Sequence, residues 1–426
     1  MPTTIVAGAQ WGDEGKGRMV DLLAGEADMV VRCQGGPNAG HTVINEHGKF
    51  VLHSVPSGVF SDRARCVIGA GTVVSPSGLV DEMRNLADAG IDIGRILVLV
   101  SERAHLILPY HRLLEQIEEE RRPPGSRIEP TGQGIGPAYA DKAARYGMRA
   151  GDLLDMAEFR RRLAEQLPWR NRLLSACDQP PLAEQDVLAE VEPAAEFLRG
   201  HIGDTVGPIS GALDAGKRVV LEGQLGVMRD LDWGAYPFVT SSSPIPAGMP
   251  AGAGVPLQSV DRVIGVVKAY TSAVGTGPLP TELDGDEAAR LRERGGEYGA
   301  TTGRPRRCGW FDAVAVAWAA RVAGFSEVAL TKIDVLDGLS TVPMCVAYRH
   351  DGRVLDSFPT TRVMGDVEPV WQEMPGWSGA TSGARTLSDL PSEARRYADE
   401  IERRVGVPIT FVSVGPERDA VVPRAA

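Results

Sequence analysis

The chain has 426 residues, of which 43% are hydrophobic and 24% are charged, as is typical of a folded globular protein. Its length permits one large domain or two to three smaller ones, and a large buried core. The formal net charge of −11 argues against a nucleic-acid partner, because binding to a phosphate backbone depends on clustered Lys and Arg residues.

Predicted strands and helices alternate along the chain. Short apolar runs predict strands at residues 3–7, 29–33, 95–100, 218–221, 262–267 and 328–330. Composition and periodicity predict helices at residues 16–23, 111–122 and 312–322. This alternation favours an α/β fold with a mostly parallel central sheet flanked by helices. We find no internal repeat or linker, so we predict a single domain over residues 1–426 with a flexible tail at 421–426.

The sequence also suggests where the protein is located. No apolar run is long enough to span a membrane, and the first residues lack the basic and apolar segments of a signal peptide. The five cysteines form no C-x-x-C pair and have no zinc-type spacing to histidine, which is typical of reduced thiols. We therefore expect a cytoplasmic protein with neither a membrane nor a nucleic-acid partner.

A glycine-rich segment lies between the first strand and the first helix and consists of Gly12, Asp13, Glu14, Gly15, Lys16 and Gly17. Glycines let several N–H groups face one anion, and a helix N-terminus attracts negative charge, so the segment predicts a phosphate site. The P-loop pattern instead has Gly at the position of Gln10 and Ser or Thr at that of Gly17. We expect Asp13 to replace the missing hydroxyl as a Mg²⁺ ligand. The alternative is an ordinary turn with exposed Asp, Glu and Lys side chains.

A possible guanine-binding motif follows the strand predicted at residues 328–330. Thr331, Lys332, Ile333 and Asp334 fit the [N/T]-K-x-D pattern of many GTP-binding proteins. The Asp carboxylate can accept hydrogen bonds from N1–H and the exocyclic amine of guanine, a pairing that rejects adenine. The alternative is a surface Lys–Asp pair, but together with the glycine-rich segment the motif predicts a GTP site.

A second turn of small residues follows the strand predicted at residues 29–33. It contains Gln34, Asn38, Gly40, His41 and Thr42. Because glycines add no side-chain bulk, a ligand can approach this backbone closely. His41 could act as a general acid or bind phosphate, and the alternative is a structural histidine.

Five motifs, at residues 11–17, 35–42, 131–139, 299–304 and 331–334, occur in an order that resembles the adenylosuccinate synthetase family. The resemblance covers residues 5–418, essentially the whole chain. It implies one large α/β domain related to P-loop GTP-binding folds, and a homodimer. It also implies a GTP-dependent ligase that forms a C–N bond in purine biosynthesis.

The resemblance implies a two-step reaction on IMP. GTP transfers its γ-phosphoryl group to O6, and the amine of L-aspartate then displaces this group at C6, which gives adenylosuccinate, GDP and phosphate. Asp13 resembles the base that takes the N1 proton. Asp13 and the Gly40 carbonyl also resemble the Mg²⁺ ligands. His41 resembles the acid that binds the transferred group, and Lys16 and Gln34 complete the implied catalytic set.

The resemblance also implies three sets of binding residues. The GTP set is Gly12, Asp13, Glu14, Gly15, Lys16, Gly17, Gly40, His41, Thr42, Lys332, Asp334, Ser413 and Gly415. The IMP set is Asn38, Thr131, Arg145, Gln224, Thr240 and Arg304, with Arg145 reaching the site of the neighbouring subunit. The aspartate set is Gly299, Ala300, Thr301, Thr302, Gly303, Arg304 and Arg306.

Several positions near the implied nucleotide site depart from the family pattern. Leu225 stands where the family usually has a glutamine that contacts the purine, and Gln224 would replace it if the loop slips by one residue. Ala273 and Gln133 stand where the family usually has basic residues. Two alternatives follow: an ordinary synthetase acting on IMP, or a paralogue acting on a modified purine-like nucleotide, as in nucleoside natural-product biosynthesis. A GTP-binding switch and an inactive scaffold are further alternatives, and the retained Asp13 and His41 count against the scaffold.

Overall fold

The structure, a computed structural model, describes residues 3–96, 98–300 and 303–424. Its strands are β1 Thr3–Gly8, β2 Met29–Arg32, β3 His41–Asn45, β4 Gly48–Leu52, β5 Arg65–Ile68, β6 Val73–Val74, β7 Leu99–Ser101, β8 His105–Leu106, β9 Ile202–Gly203, β10 Val219–Gly226, β11 Val260–Lys268, β12 Thr271–Ala273, β13 Arg307–Gly309, β14 Phe311–Asp312, β15 Glu327–Thr331, β16 Thr341–His350, β17 Arg353–Leu355, β18 Glu368–Pro375, β19 Ile409–Ser413 and β20 Val421–Pro423. Its helices are α1 Lys16–Ala24, α2 Pro76–Asp88, α3 Ile93–Ile96, α4 Pro109–Arg121, α5 Ile135–Ala144, α6 Met156–Ser175, α7 Glu184–Leu198, α8 Val206–Asp214, α9 Met249–Ala253, α10 Gly285–Gly295, α11 Ala313–Ala323, α12 Thr361–Met364 and α13 Ser392–Val405.

Ten strands form one central sheet in the order β20-β19-β15-β11-β1-β10-β2-β5-β7-β9. Every neighbouring pair is parallel except β19 and β20. Ile5 and Leu221 pack into the core on one face, and Val6 and Val220 pack with Met19 of α1 on the other. Because both faces are covered, these strands read as continuous apolar runs. The prediction of an α/β fold with a mostly parallel sheet is confirmed.

The sheet topology places the predicted loops at one edge. β1 lies between β10 and β11 near the middle of the sheet, and the strands around it run in the same direction. Their carboxyl ends therefore meet at one edge, where open α/β sheets bind their ligands. The segments that follow β1, β2, β10, β15 and β19 leave the sheet at this edge.

Two local predictions were wrong. Residues 95–100 do not form one strand, because α3 ends at Ile96 and β7 begins at Leu99. A short apolar run cannot by itself distinguish a strand from a buried helical turn. Residues 421–423 are not a flexible tail but the strand β20, which pairs with the edge strand β19 and buries Val422. Residues 425 and 426 lie outside the described part of the chain.

Two sequence expectations concern membrane-spanning helices and disulfide bonds. In the described ranges, no helix is both long and apolar enough to cross a lipid bilayer. The five cysteines, all within those ranges, form no disulfide. A separate sheet of β14, β16, β17 and β18 packs beside α11.

Candidate functional site

Two cavities adjoin at the carboxyl edge of the central sheet. The loop cavity has a volume of about 720 Å³ and is lined by the glycine-rich segment, the start of β3 and the residues after β15 and β19. The adjoining cavity has a volume of about 420 Å³ and lies between the turn after β2, helices α4 and α5, and the segment at residues 225–241. Both cavities are lined by Asp13, Ala39, Gly40, Leu225, Gly299 and Ala300. Ligands in the two cavities would therefore meet at Asp13.

Glu14 holds the glycine-rich segment in shape from the inside. Its fully buried carboxylate accepts hydrogen bonds from the backbone N–H groups of Gln10 (3.0 Å) and Gly12 (2.9 Å), and lies 2.5 Å from Lys16 Nζ. Gly15 caps α1 in a left-handed conformation, φ 97°, and no side chain caps this helix. The uncapped N-terminus and the Lys16 ammonium both line the loop cavity, where they can bind a phosphate group.

Gly17 allows His41 to pack against α1. A Cβ atom at Gly17 would lie 2.7 Å from His41 Cβ, so the Ser or Thr of a P-loop does not fit there. His41 Nδ1 lies 2.5 Å from Glu222 Oε1. Glu222 also accepts hydrogen bonds from the backbone N–H and hydroxyl of Ser57 (2.8 and 2.7 Å) and lies 3.5 Å from Arg32 Nη1. Glu222 thus orients the imidazole and favours the tautomer with the proton on Nδ1.

The charges around His41 leave it neutral when no ligand is bound. Burial and the nearby Arg32 lower the pKa of His41 to about 4, although Glu222 acts in the opposite direction. Burial disfavours ionised Glu222, but the hydrogen bond from His41 and the charge of Arg32 lower its pKa to about 2. Nε2 of His41 is buried and has no hydrogen-bond partner among the described residues. A phosphate group beside Nε2 would favour the protonated imidazole and accept its hydrogen bond.

The far end of the loop cavity contains the [N/T]-K-x-D motif. Asp334 Oδ1 is buried and has no hydrogen-bond partner in the part of the chain that the structure describes, and burial raises the pKa of this carboxyl. Such an oxygen is suited to an N–H donor of a base. Arg18 contacts Ser413 Oγ and the Gly415 carbonyl (2.5 Å), which brings the residues after β19 to the same cavity.

Asp13 lies where the two cavities meet. Its carboxylate is partly exposed, and Oδ2 lies 3.0 Å from Arg306 Nε. No group of three or more His, Cys, Asp or Glu residues able to hold a metal ion occurs within residues 3–96, 98–300 and 303–424. Mg²⁺ does not need such a group, because it is commonly held by one or two protein oxygens together with substrate phosphates. The Asp13 carboxylate and the Gly40 carbonyl therefore fit a Mg²⁺ site, since both residues line both cavities.

The adjoining cavity contains most of the residues expected to bind the second nucleotide. Asn38, Thr131, Thr240 and Arg304 line it, and so do Gly299 and Ala300. Asn38 Oδ1 is buried without a hydrogen-bond partner among the residues described. Thr301 and Thr302 lie outside the described residues. Gly303 does not line either cavity, but its N–H donates to the Gly299 carbonyl (2.8 Å) and closes the loop.

Gln34 and Gln224 correct the sequence interpretation, because neither lines the two cavities. Gln34 donates to the Gln224 carbonyl (2.9 Å) and accepts from Ser242 Oγ (2.8 Å). The Gln224 side chain pairs with the backbone of Gly36, accepting from its N–H (3.2 Å) and donating to its carbonyl (2.9 Å). Leu225, at φ 55°, lines both cavities instead. Gln224 therefore does not replace the expected glutamine in this geometry.

Two other predicted residues lie outside the lining of both cavities. Arg145 ends α5 in a left-handed conformation, φ 67°, and is exposed. This position leaves it exposed to solvent and outside its own site. Gly12, at φ 102°, shapes the glycine-rich segment next to Leu225 and donates its N–H to Glu14.

Three residues near the cavities were missed by sequence reasoning. Glu222 and Glu297 are fully buried carboxylates. In the sequence, Glu222 is marked only as a charged residue at the end of an apolar run, a pattern that can indicate a functional site. Arg229 lines the adjoining cavity and donates to the carbonyls of Phe238 (2.6 Å) and Val274 (2.6 Å), and burial lowers its pKa to about 10. Its guanidinium thus supplies positive charge next to Ala273, which stands where the family usually has a basic residue.

Comparisons with known proteins agree with this geometry. Residues 5–422 match the family model described as adenylosuccinate synthetase. The chain is 49% identical over 424 residues to adenylosuccinate synthetase of Moorella thermoacetica, covering 99% of both chains. It is 46% identical over 420 residues to that of a Geobacillus species, covering 98% of this chain and 97% of the relative.

Solved structures extend the comparison. The fully ligated adenylosuccinate synthetase of Plasmodium falciparum has a TM-score of 0.93 and 34% identity, with 99% of each chain covered. The succinoaminodeoxyadenylate synthetase of cyanophage S-2L, solved with dGMP and dATP, has a TM-score of 0.62 and 20% identity, covers 100% of this chain and 96% of its own, and shares the fold. Sequence and structure agree over the full length, and the chain belongs to the adenylosuccinate synthetase family.

Proposed function

We propose that this protein is a GTP-dependent ligase that joins L-aspartate to C6 of IMP and forms adenylosuccinate, GDP and phosphate in purine biosynthesis. The observation that carries the proposal is the junction of two cavities at Asp13, one with an uncapped helix N-terminus and an orphaned Asp334 oxygen, the other with Asn38. A GTP-binding switch would need only the loop cavity. A ligase that phosphorylates one nucleotide with another needs both.

In the first step, a 6-oxopurine must become able to attack phosphorus. Asp13 accepts the N1 proton, and O6 of the purine then forms a bond to the γ-phosphorus while the bond to the β–γ bridging oxygen breaks and GDP leaves. Arg306 orients Asp13 through its ion pair. Lys16 and the Nε2 side of His41 face the phosphate groups and stabilise their charge. GTP is bound by the predicted GTP set, with Asp334 accepting from the base.

In the second step, the amine of aspartate forms a bond to C6, the C6–O6 bond breaks, and inorganic phosphate leaves with that oxygen. The nitrogen loses a proton as the bond forms. Arg304 is suited to an aspartate carboxylate, because a planar guanidinium can donate two parallel hydrogen bonds. Arg306 would add its Nη2 group, since its Nε and Nη1 face Asp13 and Glu297. The loop at Gly299 and Ala300, which lines both cavities, would hold the amino acid next to C6.

Mg²⁺ is the metal that we propose for this site, held by the Asp13 carboxylate and the Gly40 carbonyl. When bound, it neutralises charge on the phosphates of GTP. We also propose a cytoplasmic homodimer in which Arg145 contacts the nucleotide of the neighbouring subunit. The exposure of Arg145 and of the adjacent Tyr146, 58% exposed, supports a subunit contact there. Sedimentation velocity with and without nucleotides tests the dimer.

The test of the main proposal is an assay with IMP, GTP, aspartate and Mg²⁺, with each component omitted in turn. We expect a purine absorbance change that needs all four, and its loss in Asp13→Asn but not in Asp232→Asn, which alters an exposed carboxylate. IMP labelled with ¹⁸O at O6 sharpens the test. The label must appear in inorganic phosphate, and label retained in the purine or lost to water would contradict a 6-phosphoryl intermediate.

A modified purine-like nucleotide is the second candidate substrate. The observation that favours it is the apolar Leu225 side chain at the junction, with Gln224 turned into the protein. A hydrogen-bonding group missing from a site changes selectivity strongly. If IMP is the substrate, kcat/KM for IMP exceeds that for 2′-deoxy-IMP and for base-modified analogues. A higher value for an analogue, reversed in Leu225→Gln, would favour the second candidate.

A further inference from the structure

The carboxylate of Glu297 is the meeting point of side chains from separate segments. Glu297 lies just after α10, and its side chain is completely inaccessible to solvent. Oε1 accepts hydrogen bonds from Lys332 Nζ (2.7 Å) and the Tyr270 hydroxyl (2.5 Å). Oε2 accepts from Arg306 Nη1 (2.7 Å), and Lys268 Nζ lies 2.9 Å from both oxygens. One carboxylate therefore holds three cations.

The two oxygens of Glu297 serve opposite ends of the loop cavity. Lys332 belongs to the motif next to the orphaned Asp334 oxygen, and its ammonium also donates to the Gly295 carbonyl (2.6 Å). Arg306 lies 3.0 Å from Asp13, where the two cavities meet. A continuous chain of ion pairs thus runs from Lys332 through Glu297 and Arg306 to Asp13.

The charges of this chain depend on Glu297. Lys268, Lys332 and Arg306 carry three positive charges, and Glu297 and Asp13 carry two negative ones. Lys268 is fully buried and lines neither cavity, so its role is to stabilise the carboxylate rather than to bind a ligand. Without Glu297, the cations would repel each other, and within the described ranges Asp13 would be the one carboxylate still paired with Arg306.

The backbone of Glu297 anchors the loop that reaches both cavities. Its carbonyl accepts from the Arg306 N–H (2.9 Å), and the Gly299 N–H donates to the Arg304 carbonyl (2.8 Å). The side chain and the backbone therefore fix both stems of the loop that contains Gly299 and Ala300. A rotation of the Glu297 carboxylate would be transmitted to Arg306 and to this loop.

We propose that Glu297 is a positioning residue that couples recognition of the GTP base at Lys332 to the placement of Asp13 by Arg306. The proposal rests on the proposed roles of Lys332 and Asp13. Lys332 donates one of the three hydrogen bonds that Oε1 accepts, so its position bears on the orientation of the whole carboxylate. Contacts at the base therefore contribute to the rate of phosphoryl transfer as well as to the binding of GTP.

The first test replaces Lys332 while Glu297 stays intact. In Lys332→Met at saturating GTP, we expect kcat to fall by about 10-fold or more, in addition to a rise in KM for GTP, because one charge-assisted hydrogen bond to the carboxylate is lost. Lys217→Met, which removes an exposed lysine remote from both cavities, is the matched control and keeps the wild-type kcat. A Lys332→Met enzyme with raised KM and wild-type kcat would overturn the proposal.

The second test keeps the charge but shortens its reach. Glu297→Asp cannot contact Lys332 and Arg306 at once, so we expect kcat to fall, and adding Lys332→Met should cause little further loss in kcat. Independent effects of the two substitutions on kcat would also overturn the proposal. A wild-type enzyme that makes no product from IMP, GTP and aspartate would instead contradict the proposed function. Failure of the proposed function can therefore be distinguished from failure of the coupling by Glu297. Glu297→Gln is not used in these tests, because it would leave three buried cations without a carboxylate and could prevent folding.

Discussion

Replacing Glu222 with glutamine separates the charge of this residue from its shape. The glutamine side chain has nearly the same volume and still offers an oxygen to the Ser57 N–H, now 2.8 Å from Oε2. It loses the negative charge that faces His41 and Arg32. Its amide N–H can also donate to His41 Nδ1, which would move the imidazole proton to Nε2.

The expected magnitudes follow from these contacts. Breaking a buried ion pair costs about 3 kcal/mol at the lower end of the usual range, which applies because the shape is conserved. With an unfolding entropy of about 2.1 cal/mol/K per residue, this cost lowers Tm by roughly 3 °C for 426 residues. Without the negative charge of Glu222, the imidazolium that donates from Nε2 to the transferred phosphoryl group is less stable, which lowers kcat by about 100-fold.

Thermal unfolding and initial rates at saturating substrates measure the two effects separately. Ser57→Ala is the graded control, because it removes one hydrogen bond to Glu222 and keeps the charge, so we expect a Tm loss of about 1 °C and kcat within a few-fold of wild type. A Glu222→Gln enzyme with wild-type kcat would refute the orienting role. A similar fall in kcat for both variants would show that packing, not charge, matters.

Three further predictions address single residues. Asp334→Asn should raise KM for GTP roughly 10- to 100-fold, and xanthosine triphosphate should restore activity because its 2-oxo group accepts from the new amide; equal losses with both would contradict base reading by Asp334. In ligand-free protein, NMR should show that His41 stays neutral as the pH is lowered until it reaches its pKa of about 4. The contribution of neutral His41 to folding stability is therefore complete above pH 6.5 and is lost as the pH falls through 4. Titration of His41 near pH 6.5 would contradict this. Arg229→Met should raise KM for the purine nucleotide about 10-fold with unchanged KM for GTP in initial-rate assays, and the reverse pattern would place Arg229 elsewhere in the reaction.

Much of the fold and part of the site could be predicted from local sequence. Apolar runs such as those of β1 and β15 are visible because both faces of a parallel sheet are buried. The glycine-rich segment and the [N/T]-K-x-D motif are also local, since their geometry depends on a few adjacent residues. Parallel strands bring such segments to one edge, so both motifs line one cavity as expected.

Side-chain direction could not be predicted in the same way. Gln224 was expected at the purine, but its amide pairs with Gly36, which lies in the turn after β2 and is 188 residues away in sequence. The left-handed conformation of Leu225 decides which of the two neighbours faces the cavities. Arg229 likewise contacts the carbonyl of Val274, a pairing that no sequence spacing indicates.

The sequence by itself determined the alternation of strands and helices, the α/β class and the motifs expected to contact phosphate and base, because each depends on neighbouring residues. Only the tertiary structure decided that Glu222 holds His41, that Glu297 joins Lys332 to Arg306, and that residues 421–423 complete the sheet. These features depend on groups that are distant in the chain and close in space. Buried charges require partners wherever the fold supplies them, and the fold, not the local pattern, selects those partners.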